Sequence, residues 1–190
     1  MGAIQCMGRS KMADGKDNRP GARAWAAMKP YWGLINIYDG PRPFLESVES
    51  VPEWVRHLVT VHLSDSEVCN GGFHQFFHNS TGILAPEAID GFRALGLDEL
   101  AELVEVAMSN FGEPCPRDRE ARTSALDALR RPGEKRKDWD LFNKSDEQYY
   151  SAKHKLTFYK RADEFVQRHA TRICLPSSGP VNSFALTPHQ

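Results

Sequence analysis

The side chains best suited to chemistry lie in one stretch, EVCNGGFHQFFHNSTG at residues 67–82. His74 and His78 are four residues apart, so on a helix they would share a face and could bind one metal ion, with Glu67, His62 or Cys69 as a third ligand. One interpretation is therefore a metal-assisted enzyme centred on Glu67, His74 and His78. This spacing is weak support, because the HExxH pattern of zinc peptidases is missing.

The four cysteines offer little support for other metal or catalytic chemistry. Cys6, Cys69, Cys115 and Cys174 are widely separated, without the paired spacing of thiolate zinc sites. Cys69 lies at the end of an apolar stripe, where a free cysteine usually packs as a small apolar residue. Phosphate-binding glycine patterns such as GxGxxG are also missing, and we expect no cofactor.

A structural interpretation explains more of residues 67–82. Three phenylalanines recur at spacings of three and four, which is typical of a buried helical face. Two consecutive glycines disfavour a continuous helix and allow a sharp turn between two helices. We expect the side-chain amides to tie this turn down through loop backbone groups, and Asn70 to tolerate a left-handed conformation. The predicted structural residues are Asn70, Gly71, Gly72, Phe73, Gln75, Phe76, Phe77 and Asn79.

The rest of the chain predicts an all-α fold. Apolar residues recur at helical spacing from residue 44 onward, and no run of alternating strands interrupts them. We expect a single compact helical domain of about five to seven helices with helical hairpins, one of which turns at Gly96. In a later helix, Ala121, Leu126 and Leu129 are expected to face inward.

Composition divides the chain into a domain and two tails. Residues 1–30 lack apolar periodicity, which predicts a mobile tail, and a start at Met28 would make residues 1–27 an extension that is not native. Residues 31–173 form the predicted helical domain, and residues 174–190 are expected to be disordered. We find neither a signal peptide nor an apolar run of the roughly 20 residues that cross a bilayer, and expect a cytoplasmic protein.

Charge is strongly segregated along the chain, although the net formal charge is only −1. Residues 44–111 contain eleven acidic and two basic side chains, a formal charge of −9, whereas residues 1–43 and 112–173 each carry +4. Such a dipolar surface would steer charged partners. The basic run at residues 130–137 raises the alternative of direct nucleic-acid binding, but it lacks the interleaved aromatic residues on which bases stack.

The motif in residues 67–82 also resembles that of a known family. It fits the pattern E-x-x-N-G-G-F-x-Q-F-F-x-N-x-x-G, and it is followed by EAIDGFRALGLDELAELV and later by DEQYY. These residues resemble a bacterial family of small helical proteins that is named after a DNA-mimic protein. The resemblance implies an all-α fold without known enzymatic activity. It also implies a dimer whose surface carboxylates imitate DNA phosphates and occupy the DNA-binding face of a transcriptional repressor.

We therefore expect a non-enzymatic protein that binds a basic partner, such as a transcription factor, through an acidic helical face. Neither membrane association nor direct contact with nucleic acid is expected, and a homodimer is the assembly that the resemblance implies. Binding of this kind should weaken steeply with salt. The residues predicted to bind the partner are Asp65, Glu67, Glu87, Asp90, Glu99, Glu102 and Glu105.

Overall fold

One long helix, which carries the glycine motif, lies at the centre of the fold. We describe a computed structural model covering residues 19–130, 141–150 and 152–174, without the side chains of residues 152–157 and 170–174. Within these ranges there are eight α-helices and no strand, which confirms the predicted all-α fold. They are α1 (Ala22–Met28), α2 (Pro41–Glu49), α3 (Glu53–His78), α4 (Ala85–Ala94), α5 (Asp98–Ser109), α6 (Arg119–Ala128), α7 (Asn143–Tyr149) and α8 (Ala152–Cys174). Short 3-10 helices occupy Lys29–Tyr31 and Ser80–Leu84.

Helix α3 contacts α1, α4, α6 and α7, and its apolar face forms much of the core. Gly91 lets α4 pack closely against α3, since a Cβ atom there would lie 2.9 Å from the carbonyl oxygen of His57. The hydroxyl of Thr60 also donates to the carbonyl oxygen of Glu87, at 3.2 Å. Close packing of these two helices fixes the position of the acidic residues that α4 carries.

Helices α4 and α5 form the predicted hairpin around Gly96. Gly96 has a φ of +72°, its N–H donates to the carbonyl of Arg93 at 2.9 Å, and Leu97 N–H donates to that of Phe92 at 2.8 Å. This pair of bonds is the Schellman arrangement that ends many helices, so the predicted role of Gly96 is confirmed. On α5 the buried residues are Leu100, Ala101, Val104 and Ala107, which leaves the glutamates outward.

The N-terminal region differs from the tail predicted for residues 1–30. Within it, Ala22–Met28 forms α1, and Ala24 and Met28 are buried. The carboxylate of Asp163 on α8 accepts the N–H of Gly21 at 2.8 Å and that of Ala24 at 3.0 Å. Helix α1 is too short to show a periodic apolar stripe in the sequence, so it was not predicted. This explains why eight helices are described where about five to seven were expected. Residues 1–18 and 175–190, also assigned to tails, lie outside the described residues.

Helix α6 buries a different face from the one predicted. Arg122 and Leu126 are buried, whereas Ala121 and Leu129 are exposed. The prediction is confirmed for Leu126 and wrong for Ala121 and Leu129, because apolar periodicity alone does not reveal that the buried face includes an arginine. In the part of the chain described, no helix has both the length and the apolar character of a membrane span.

Candidate functional site

The double glycine produces a kink inside α3. Gly71 and Gly72 both leave the helical conformation, and Gly72 has a φ of +72° with a ψ of −176°. A Cβ atom on Gly72 would lie 2.8 Å from the carboxyl carbon of Asp146. Oxygen Oδ1 of Asp146 accepts the N–H of Phe73 at 2.8 Å, so a residue of α7 caps the second half of α3. Burial raises the pKa of Asp146, and the hydrogen bond from Phe73 N–H opposes that rise.

Glu67 forms a hydrogen-bonded cluster with the two side-chain amides of the motif. Its Oε1 accepts from Gln75 Nε2 at 2.8 Å and from Asn79 Nδ2. Gly71 makes room for this cluster, because a Cβ there would lie 2.9 Å from Cβ of Gln75. The amides were expected to bond loop backbone groups; they instead donate to a carboxylate across the kink. Asn70 is exposed, and positive φ occurs only at glycines among the described residues, so it is not left-handed.

A buried arginine of α6 binds the backbone carbonyls at the C-terminal end of α3. Arg122, which is 0 % exposed, donates from Nε to the carbonyl of Phe77 at 3.1 Å and from Nη2 to that of Asn79 at 3.0 Å. Its Nη1 donates to the carbonyls of Pro116, at 3.4 Å, and Arg117. A cation at the C-terminal end of a helix interacts favourably with the helix dipole. Burial lowers the pKa of Arg122, and the nearby Cys115 and Asp118 oppose this. Sequence patterns did not indicate this residue.

The two histidines of the proposed metal site stack on each other. The ring centroids of His74 and His78 are 5.9 Å apart, with an angle of 17° between the ring planes. Both side chains are half-buried, and the carboxylate of Glu67 is engaged by the amides described above. Among the residues whose side chains are described, no group of three or more His, Cys, Asp or Glu residues has the arrangement of a metal site. The basic run at residues 130–137 lies outside the described residues except for Arg130, which pairs with Asp127.

Three of the seven acidic residues predicted to bind a partner are held inside the fold. Asp65 is only 6 % exposed, and it accepts from Cys69 Sγ at 3.5 Å and from the hydroxyl of Tyr149 at 3.4 Å. Glu67 belongs to the amide cluster. Glu87 forms a bidentate ion pair with Arg117, at 2.8 and 2.9 Å. These carboxylates stabilise contacts within the chain, and they add little to an acidic surface.

The other four predicted residues are exposed. Glu99, Glu102 and Glu105 follow one another at intervals of three along α5, so they form one stripe on the outer face of that helix. Glu105 Oε2 is 2.7 Å from Arg93 Nη2, which joins α5 to the outer face of α4. Asp90 lies one turn before Arg93 on α4, and it is exposed as well.

Asp90 also lines a cleft of about 380 Å³ between α2, α3 and α4. The cleft is lined by Leu45, Val48, Glu49, Glu53, Arg56, His57, Glu87 and Asp90. Glu49 and Glu53 are exposed, whereas Glu87 is held by Arg117. We call six exposed carboxylates of this region the acidic surface: Glu49, Glu53, Asp90, Glu99, Glu102 and Glu105. Glu49 and Glu53 were not among the residues predicted to bind a partner, because their place beside Asp90 depends on how α2 and α3 pack against α4.

A family model described as DMP19-like protein matches residues 49–169, well over half of the chain. The chain belongs to the DMP19-like family. The matched range extends from the end of α2 into α8, and α1 lies outside it. Both halves of the kinked helix and Asp146, which caps its second half, fall within the match. No curated protein matches the chain, and no solved structure does.

Proposed function

We propose that this DMP19-like protein binds a basic, DNA-binding protein through its acidic surface and so competes with DNA for that partner. The family takes its name from DNA mimic protein 19, and this supports a DNA-mimic role. The observation that carries the proposal is the stripe of exposed carboxylates on α5, continued on α4 and around the cleft. The partner would be a transcription factor or another protein whose DNA-binding face is rich in lysine and arginine.

The spacing of the carboxylates suits such a partner. Residues three apart on a helix are separated by about 4.5 Å along its axis, so the stripe presents regularly spaced negative charges, as a DNA strand does. Val106, which is 59 % exposed, lies beside Glu102 and Glu105 and offers an apolar contact within the charged face. Fixed charges on helices require little reorganisation on binding, which favours rapid electrostatic association. Asp65, Glu67 and Glu87 would act by positioning helices.

A chromatographic experiment tests the binding. The immobilised protein is exposed to cell extract at low salt, bound proteins are eluted with a salt gradient, and each eluted protein is purified. We expect an eluted basic protein to release labelled duplex DNA when the DMP19-like chain is added. Affinity should fall with rising salt, because exposed charge pairs are screened within about 8 Å at physiological ionic strength.

Matched charge variants decide whether the acidic surface is responsible. Neutralising the α5 stripe by E99Q, E102Q and E105Q should weaken binding at least tenfold. The control changes three exposed glutamates outside residues 44–111, by E113Q, E120Q and E147Q, and should leave binding nearly unchanged. Equal effects of the two sets, or a captured protein that binds DNA and the chain at once, would refute the proposal.

The proposed homodimer is tested separately by light scattering, where a monomer at all concentrations would contradict it.

A further inference from the structure

His57 forms part of the wall of the acidic cleft. Its side chain is 16 % exposed, and its Nε2 lies 3.9 Å from Oε1 of Glu53 on the same helix. The other ring nitrogen, Nδ1, is buried and has no hydrogen-bond partner among the described residues. On its inner side the ring meets Phe165 of α8 edge-on, with centroids 6.3 Å apart. One nitrogen therefore faces the charged cleft while the other faces the apolar core.

Charged groups surround this ring on every helix that packs around it. Glu53 and Arg56 belong to α3, Glu49 to α2, Asp90 and Glu87 to α4, and His169 to α8. Because Arg117 pairs with Glu87, the carboxylates that give the cleft its surface charge are Glu49, Glu53 and Asp90. One additional positive charge on the ring would offset a large part of that charge.

We propose that His57 is a pH-sensitive switch on the acidic surface, whose protonation weakens binding of the basic partner. This inference rests on the proposed function and adds regulation to the same surface. The charged ring would act in two ways. It places a positive charge where the partner's cations bind, and it pairs with Glu53 or Asp90, which then no longer contact the partner.

The buried nitrogen explains why the ring would change its contacts on protonation. A charged imidazolium has two N–H donors, and a buried donor without an acceptor costs free energy. Burial lowers the pKa of His57; Glu53 and Asp90 oppose this, whereas Arg56 and His169 reinforce it. The ring is therefore harder to protonate than a free histidine, and it gains its charge only as the pH falls. Rotation toward the cleft carboxylates would satisfy the new donor.

The experiment measures binding of a fluorescein-labelled decalysine peptide at pH 7.5 and pH 5.5 and constant ionic strength. We expect the affinity of the unchanged protein to fall at the lower pH by up to about fivefold, the effect of one full charge about 4 Å from another in water. H57Q should bind equally well at both values. H78Q is the matched control, since His78 lies at the far end of α3, and it should behave like the unchanged protein.

The two proposals fail in different ways. If H57Q retains the full pH dependence, the switch is refuted while binding at pH 7.5 still supports the acidic surface. If the unchanged protein does not bind decalysine at pH 7.5, or the α5 variants bind it equally well, the acidic surface itself is refuted, and the switch with it. NMR titration of the His57 ring adds an independent measurement: bound decalysine should lower its pKa, and an unchanged value would also overturn the switch.

Discussion

Replacing Gly72 with alanine should destabilise the protein by about 2–4 kcal/mol. The backbone there has a φ of +72° and a ψ of −176°, a region reached almost only by glycine. Such a conformation costs another residue about 1–3 kcal/mol. The new Cβ would also lie 2.9 Å from Asp146 Oδ1, which is the atom that accepts the Phe73 N–H. Displacing that carboxylate should remove a helix cap, which contributes about 1 kcal/mol.

The free energy of unfolding, measured by urea titration with far-UV circular dichroism, gives the comparison. Gly96→Ala is the matched control, because Gly96 has the same φ of +72° but nothing lies within 4 Å of a Cβ placed there. G96A should lose only the stability that a left-handed backbone costs a residue other than glycine, about 1 kcal/mol. The excess loss in G72A then reports the contact with Asp146 together with the greater strain of a backbone whose ψ is −176°.

A double-mutant cycle separates strain from the loss of the cap. With Asp146 already changed to alanine, G72A should lose less stability than it does in the unchanged protein, because the carboxylate no longer opposes the new Cβ. The two changes should therefore couple by about 1 kcal/mol or more. Additive losses, or a G72A loss no greater than that of G96A, would refute the account of the kink.

Three further predictions follow from buried groups. The pKa of His62 is lowered by burial to about 4 against an ordinary 6.5, so the unfolded chain binds more protons between these values. The contribution of His62 to stability should therefore be complete above pH 6.5, and stability should fall by up to about 3 kcal/mol as the pH drops toward 4. In urea titrations at a series of pH values, H62F should flatten this dependence of stability on pH. An unchanged slope in H62F would contradict the prediction. R122M should lower the free energy of unfolding by about 3 kcal/mol or more, since several buried carbonyls lose their donor. The control R119M, at an exposed position, should lower it by under about 1 kcal/mol. Similar losses in the two variants would show that Arg122 does not hold the end of α3. A chain that starts at Met28 lacks α1 and should melt several degrees lower than a chain that starts at residue 19. Scanning calorimetry measures this difference, and equal melting temperatures would mean that α1 adds no stability.

The kink was predictable from the sequence, but the contacts that hold it were not. Paired glycines among regularly spaced phenylalanines predict two helical segments with a break, and the structure has that break at Gly71 and Gly72. The partners of the break come from residues far along the chain, such as Asp146. Side-chain spacing reports which face of a helix is apolar, and it carries no information about which distant helix packs there.

Polar residues inside the fold were the main source of error. A search for apolar periodicity places arginines and aspartates outside, because a charged group is rarely buried without partners. Arg122 has such partners in backbone carbonyls at the end of α3, and Asp65 has them in a tyrosine and a cysteine. Neither pairing leaves a pattern in the sequence, so Asp65 was assigned to the surface and Arg122 was overlooked.

The residues that match the family motif differ from those proposed to bind a partner, because the former are engaged inside the fold and the latter are exposed. The polar motif residues that match the pattern mostly contact one another or cap helices: Glu67 holds Gln75 and Asn79, and Gly82 leaves room for Arg122. Their side chains are therefore engaged within the fold, and they lie in the range that the family model matches. The exposed carboxylates on α5 lie outside the motif, where substitution affects stability little. For this reason a change in the α5 stripe should alter binding while leaving the fold intact, whereas a change in the motif should lower the stability of the fold.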